Sequence, residues 1–518
     1  MRDHAGAAES TGVGGTGSRV PAPATVGLGR VREAMLMAAG FTTVVPLMKF
    51  TVTGFSMLCF LLVLLFSARL DNRRAGAPLL LAFAGSVAYV ISSIVNATPL
   101  LAPNVPAFAA YGLYLCGLLV LVSDLDELFA LMVGVSVGTI GFYAVLGTAL
   151  TADGVLAALW KYGFAPAVTL LVLYAIARSP RHRPMAACAA LVILAAVSVA
   201  LNFRSHALIC LCAALLVFVD RLRRRPTSLP VKVVTVAVIG AAVAKGLEYA
   251  AREGLLGSAL TDKVEMQSTQ HVPSILVGRT EPPLSISAII DHPLLGWGYA
   301  NNISSGVIDH AYQLAVSIGF DASYPFRYIW FLPDGSVSLH SILLGSWAEG
   351  GVFAVLLPLW LVWACLTLIR FAHRHPAWTA ALTFLGIQGI WDLVFSPWSY
   401  NLPVVYAAIS VAALFITTGN LDRPVRRTLS APPLGGRRSR PTRPPSPPAQ
   451  GGAPSGRIPE TGPGERRRRG GRRGDAFPLV GEPDSLARAP GGGRRRRDSV
   501  GPPTKHVPRH AAPERTAR

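Results

Sequence analysis

Apolar runs of about 17–25 residues recur from residue 33 to residue 418 of this chain, and they limit its fold more than any other feature. A helix rises 1.5 Å per residue, so about 20 apolar residues cross a hydrocarbon core roughly 30 Å thick. Lipid offers no hydrogen-bond partner to the backbone, so each crossing run must satisfy its own amides as a helix. About twelve such runs are expected by this criterion. They lie at 33–48, 50–68, 77–97, 105–123, 127–150, 162–178, 185–202, 206–219, 230–250, 340–369, 377–396 and 402–418. The first is the weakest, because Pro46 and Lys49 limit it. Only 15% of the residues are charged and mean hydropathy is +0.44, against roughly 25% charged in soluble domains. The expected fold class is an all-α polytopic membrane protein with about twelve transmembrane helices.

Strict alternation of these runs can be tested by where the basic residues fall, because Lys and Arg accumulate in cytoplasmic connections. The connections Arg69–Arg74, Arg178–Arg183, Arg221–Arg225 and Arg370–His375 share one side with the Arg-rich end of the chain. The other side receives 101–104, 151–161, 203–205, 252–339 and 396–401, which hold few basic clusters. Both termini are therefore expected in the cytoplasm of a plasma (inner) membrane protein, with the large loop extracytoplasmic. The expected organisation is a disordered N-terminus (1–32), transmembrane helices 1–9 (33–250), the loop (251–339), helices 10–12 (340–418) and a disordered tail (419–518). The formal net charge of +20 lies mostly in that tail, which holds 23 Lys and Arg against 8 Asp and Glu. It is rich in Pro, Gly and Arg and too poor in apolar side chains to offset the entropy of ordering. A basic tail of this kind suits a solvated cytoplasmic segment or contact with anionic lipid, with nucleic acid a weaker expectation. No short apolar run with a cleavage site precedes residue 33, so the first run is expected to stay as an anchor. The six cysteines (Cys59, Cys116, Cys188, Cys210, Cys212 and Cys365) all lie in apolar runs and show neither disulfide nor zinc spacing.

Candidate chemistry gathers on the loop side. Asn202-Phe203-Arg204-Ser205 joins the seventh and eighth runs, Arg279 lies in the loop, and His340 opens the tenth run. Each has a plainer role open to it: interfacial anchor, loop arginine, structural histidine. Together they suggest a site for an anionic substrate, since the guanidinium fork matches phosphate oxygens and fixed cations stabilise a departing diphosphate. A histidine can take the proton of an attacking hydroxyl. The loop acids Asp262, Glu265, Glu281, Asp291, Asp309, Asp321 and Asp334 are scattered with no Asp-x-Asp pair, so no metal site and no cofactor are expected. Asp392, near the outer end of the eleventh run, is an alternative base. Glu349 is read as a packing or pairing residue. Residues 283–290 suggest a short amphipathic helix with Leu284, Ile286, Ile289 and Ile290 as its apolar members, closed by Pro293, Gly296 and Gly298.

These residues resemble the O-antigen ligase/O-antigen polymerase superfamily of bacterial membrane glycosyltransferases. Members show an Arg-containing turn before an apolar run, similar to Phe203-Arg204-Ser205-His206-Ala207-Leu208. They also show a His-Pro-Leu-x-Gly-x-Gly element, matched by His292 through Gly298, and a loop-ending histidine, matched by His340 through Gly351. The likeness in layout covers roughly residues 40–418, with motif similarity at 202–210 and 278–352. Phe203 and Ser341 depart from the Ser and Asn that many members carry there. The resemblance implies transfer of a glycan from a polyprenyl-diphosphate donor to a glycan or lipid acceptor, without metal. Arg204 and Arg279 would hold the diphosphate, His340 would activate the acceptor, and Trp297 and Tyr299 would stack on sugars. Two rival readings are a transporter or flippase of lipid-linked sugars, whose ionisable residues usually sit near mid-membrane, and a scaffold for envelope assembly.

Overall fold

The computed structural model describes residues 24–48, 51–66, 72–100, 102, 104–147, 154–179, 184–223, 227–254, 272, 278–332, 334–337, 339–399 and 401–418. The expectations for residues 1–23, for the turn at Lys49, for 255–271 and for the tail from 419 lie outside the described residues.

The first apolar run is not one helix. Helix α1 (Ala24–Phe41) ends before Pro46, whose ring cannot donate to a helix. Thr42 and Thr43 turn their hydroxyls back on the carbonyls of Ala39 and Gly40, at 2.6 and 2.8 Å. A 3₁₀ turn at Thr42–Val44 follows, and strand β1 (Pro46–Met48) then pairs antiparallel with β2 (Val52–Thr53). The other runs coincide with helices to within a few residues. These are α2 (Gly54–Phe66), α3 (Asn72–Val95), α4 (Val105–Leu121), α5 (Leu125–Leu146), α6 (Val155–Leu159), α7 (Ala165–Ala177), α8 (Pro184–Ala200), α9 (Arg204–Leu222) and α10 (Leu229–Arg252). The loop carries α11 (Pro282–Asp291), α12 (Ser305–Ser317) and α13 (Phe326–Trp330). After it come α14 (Ile342–Phe371), α15 (Thr379–Phe395) and α16 (Leu402–Thr418). A π-helical turn, Trp160–Phe164, joins α6 to α7 into one continuous rod.

Five of these segments are long and apolar enough to cross a membrane: Ala75–Val95, Leu125–Leu146, Val155–Ala177, Arg204–Leu222 and Ile342–Arg374. Six shorter apolar helices stand among them. Their outward faces carry Leu65, Phe83, Val145, Ile193, Val234 and Trp363, all exposed. Monomeric soluble proteins rarely expose contiguous apolar surface on that scale, so the belt identifies a multi-pass membrane protein. All six cysteines are free thiols inside it.

Polar contacts show which helix ends share a face. At one end Arg32 pairs with Glu127, while Arg178 reaches Glu33 at 2.7 Å and Asp126 at 3.6 Å. Trp378 stacks on Phe129 and donates to Asp126 at 2.7 Å. Lys232 bridges Asp220, at 2.5 Å, and the Ile369 carbonyl, at 3.0 Å. The exposed pairs add little stability, a median near 0–1 kcal/mol. They align the helix ends as strict alternation requires. The Lys232 pair is buried, and removing one partner would strand a charge.

At the opposite end the loop builds its own core from Leu284, Ala288, Trp297, Val307, Phe326, Trp330 and Leu339. It docks on a break in α14. Gly351 has φ +74° and ψ −169°, which no helix tolerates, and the Ala348 and Glu349 carbonyls lose their helical donors. The turn after α11 supplies replacements: Trp297 N–H donates to Ala348 O at 2.9 Å and Gly298 N–H to Glu349 O at 2.8 Å. Val352 N–H in turn donates to Leu294 O at 3.2 Å. Contact is so close that a Cβ on Gly351 would lie 2.0 Å from Leu294 O, and one on Gly296 would lie 2.5 Å from Glu349. From α3, Ser92 donates to Glu349 O at 2.8 Å and Asn96 to Gly296 O at 3.1 Å. The helix expected at 283–290 is α11, but its apolar members divide. Leu284 and Ile289 face the loop core, whereas Ile286 and Ile290 face outward.

Gly351→Ala combines a left-handed backbone with a clash against Leu294, whereas Gly147→Ala, at φ +72° with open space around it, adds only the backbone strain. Such strain is worth about 1–3 kcal/mol. Thermal unfolding of the detergent-purified protein should therefore begin at a distinctly lower temperature for Gly351→Ala than for Gly147→Ala. Equal melting would refute the clasp.

Candidate functional site

The α8–α9 connection is a tight reversal. Asn202 takes φ +55°, a left-handed position that asparagine tolerates. Phe203 N–H closes on Ser198 O at 2.7 Å. Arg204 is thereby the first residue of α9, half-buried at the positive end of the helix dipole. Acidic side chains are favoured there, so a cation adds to the attraction for an anion at a cost to the helix. His206 is wholly buried, held by Thr169 at 3.0 Å and stacked on Phe203, and so locks α9 against α7.

Phe203 and Ser205 line a cavity of about 440 Å³. Its polar wall collects Arg279 and His340 from the loop, Lys161 from the π turn, Asp392 and Ser396 from the end of α15, and Asn401. All occupy the loop-side ends of their elements. Met132, Val135, Leu170 and Leu385 line the same space, roughly two turns deeper along α5, α7 and α15. The result is an amphiphilic chamber whose polar head holds two cations, Lys161 and Arg279, beside the Asp392 carboxyl, over apolar depth.

His340 has φ +40°, a strained conformation for a side-chain-bearing residue. The next residue holds it there. Ser341 caps α14 by accepting from Leu344 N–H at 3.1 Å and donates to Leu393 O of α15 at 3.3 Å. On its other side His340 Nδ1 lies 3.1 Å from Glu281 Oε1. Glu281 is buried just ahead of Pro282, and its Oε2 has no hydrogen-bond partner. Arg279, two residues earlier, lies within electrostatic reach of Asp392. The two Asp392 oxygens accept from Gln388 and Ser396, each at 2.9 Å.

Thus Arg279, His340 and Asp392 line one cavity, whereas Arg204, between the lining residues Phe203 and Ser205, does not itself line it. Trp297 is elsewhere. It is buried in the loop core, donates to Ala288 O at 3.1 Å and packs on the His292 ring at 4.1 Å. Tyr299 is half-buried against the bundle, and its hydroxyl is pushed up by burial and then by the Glu349 and Asp334 carboxylates. Neither lines the cavity. Glu349 is buried and accepts from Asn104 and from Ala300 N–H, at 2.9 Å for the latter, joining α4 and α14 to the loop. The His292 imidazole pairs with Asp291 at 2.6 Å on the surface.

Two site residues escape a reading of the sequence. Glu281 stands among scattered acids, and its only signal is a place two residues after Arg279. Lys161 ends an outer connection and meets the cavity because the π turn re-aims the chain, with its ammonium 5.1 Å from the Tyr162 ring. Chemically, the set can hold an anionic head between cations, draw a proton toward an imidazole braced by a buried carboxylate, and accommodate a hydrocarbon chain below. No family model matches this sequence and no curated protein is similar to it, so these residues and their geometry carry the functional reading.

Proposed function

We propose that this chain is a membrane glycosyltransferase of the O-antigen ligase/polymerase type. It transfers or polymerises a glycan from a polyprenyl-diphosphate donor onto a hydroxyl acceptor at the outer face of the membrane, without metal. One observation carries the reading: a single cavity joins Arg279, His340 and Asp392 above apolar walls. These segments are distant in the chain, and that combination suits a charged head on a long hydrocarbon. The protein would cross the inner membrane about twelve times with both termini cytoplasmic, a topology supported by its aligned helix ends and basic connections.

In this reading the acceptor oxygen attacks the anomeric carbon while His340 takes its proton. The carbon–oxygen bond to the diphosphate breaks, and the leaving group carries away the electron pair. Arg279, Arg204 and Lys161 offset the growing charge. Glu281 keeps the His340 ring turned toward the cavity and balances the imidazolium. Ligase and polymerase chemistry differ only in the acceptor that enters.

A deletion strain complemented with His340→Ala, at wild-type membrane levels, should lose or shorten its surface polymer and accumulate lipid-linked precursor. In vitro turnover should fall about 10²–10⁴-fold, the usual worth of a general base. Normal polymer would overturn transfer at this site and leave Asp392 as the ionisable residue of a transporter. With purified protein, Glu281→Gln should lower kcat roughly tenfold or more with KM for the lipid donor little changed. A hydrogen bond to a charged group is worth about 1.5–3 kcal/mol, and each 1.36 kcal/mol is tenfold. A rise in KM at constant kcat would instead place Glu281 in substrate binding.

A further inference from the structure

Helix α11 is apolar on both faces: Leu284, Ala288 and Ile289 turn to the loop core, and Ile286 and Ile290 stand exposed on the outer side. A helix on the surface of a water-facing loop normally buries apolar side chains and shows polar ones. Here Ser285 and Ser287 point inward, fully buried, with hydroxyls that find no hydrogen-bond partner. Ile286 and Ile290 point outward, 41% and 62% exposed, and Leu294 and Leu295 extend the same surface at 69% and 44%. Ile286 and Ile290 lie four apart on one face of the helix, and Leu294 is exposed in the turn that follows.

This surface runs into one of known character. Leu294 O is bonded to Val352 N–H, and next along α14 come Phe353, Leu356, Leu359 and Trp363, each exposed and spaced to share the outward face of a membrane-crossing helix. Asp291 and His292 stand beside Ile290 and pair with one another at 2.6 Å, an arrangement suited to the headgroup level. We propose that α11 and the turn after it lie in the bilayer leaflet on the loop's side, with Ile286, Ile290 and Leu294 set into the boundary between headgroups and acyl chains. The partner of this face is lipid. Because α11 begins at Pro282, its depth sets the height of Glu281 and Arg279, so the leaflet that would hold a lipid-borne anionic head also levels the residues that meet it. This rests on the membrane-spanning character of the bundle and is independent of the reaction at the cavity.

The test uses full-length protein in proteoliposomes with Cys116→Ser, the other five cysteines being buried. A polarity-sensitive fluorophore is attached at Ile290→Cys, Leu294→Cys or, as a control, Asp309→Cys on the exposed side of α12. The apolar face of an interfacial helix sits roughly 5–10 Å into the headgroup–acyl boundary. Probes at 290 and 294 should emit to the blue of the control. Lipids with a nitroxide near the headgroup end of the chain should quench them at least about twofold more than lipids with it near the chain terminus. Aqueous iodide should quench only the control. Probes at both positions that are open to iodide and unaffected by nitroxide lipids would overturn the proposal and assign the face to a protein partner. Equal quenching at 309 would overturn it too, by showing that the whole loop lies on the membrane.

Discussion

The architecture turns on the break in α14 at Gly351 and on the turn that mends it. Interrupting a buried helix strands carbonyls and an amide, and each unsatisfied buried group costs about 1–3 kcal/mol. Here Ala348 O, Glu349 O and Val352 N–H are all satisfied by residues 294–298, so the break persists only while the loop is docked. That mutual dependence places the first turns of α14, and the strained His340 just before them, relative to α11 and the residues that lead into it. The loop is thus part of the bundle's hydrogen-bonded frame.

Irregular backbone collects on the same face. Among the described residues four other than glycine have positive φ: Ala97, Asn202, His340 and Asn401. Asn202 sets the start of α9, His340 and Asn401 stand in the cavity wall, and Ala97 follows α3 where that helix meets the docked loop. The π turn at Trp160–Phe164 adds a fifth irregularity and delivers Lys161. Strain of this kind persists where surrounding structure over-determines it, and it clusters at functional sites. The opposite end of the bundle, by contrast, is made of helix ends joined by ion pairs.

Much of this was legible from hydropathy because the bilayer imposes one period and one length. The helices from 54 to 66 onward sit where the apolar runs predicted them, and the exception at 33–48 is explained by Pro46. Arg279, His340 and Asp392 could be grouped on one side because alternation and charge bias act on whole connections. What stayed hidden depends on local three-dimensional aim. Ile286 and Leu284 contribute equally to an apolar count, yet one faces outward and the other the loop core. Glu281 and Lys161 are ordinary charges in a list and become site residues only through the approach to α14 and a π turn. Trp297 and Tyr299 carry the residue types expected of a sugar platform, but the folding of the loop turns them away from the cavity.

The most distinctive motif therefore lies outside the cavity lining. His292-Pro293-Leu294-Leu295-Gly296-Trp297-Gly298 is restrictive in sequence because a backbone must pass within contact distance of another backbone, and only glycine leaves that room at 296 and 351. A cation or an imidazole at the mouth of a cavity has no such requirement and can be presented by any turn that ends in the right place. Backbone-to-backbone docking consequently leaves a sharper sequence imprint than the cavity-lining side chains that it positions. The glycines mark where the frame is joined, and the site must be sought one contact away, in the residues that the joint brings together: Arg279 and Glu281 ahead of α11, and His340 ahead of α14.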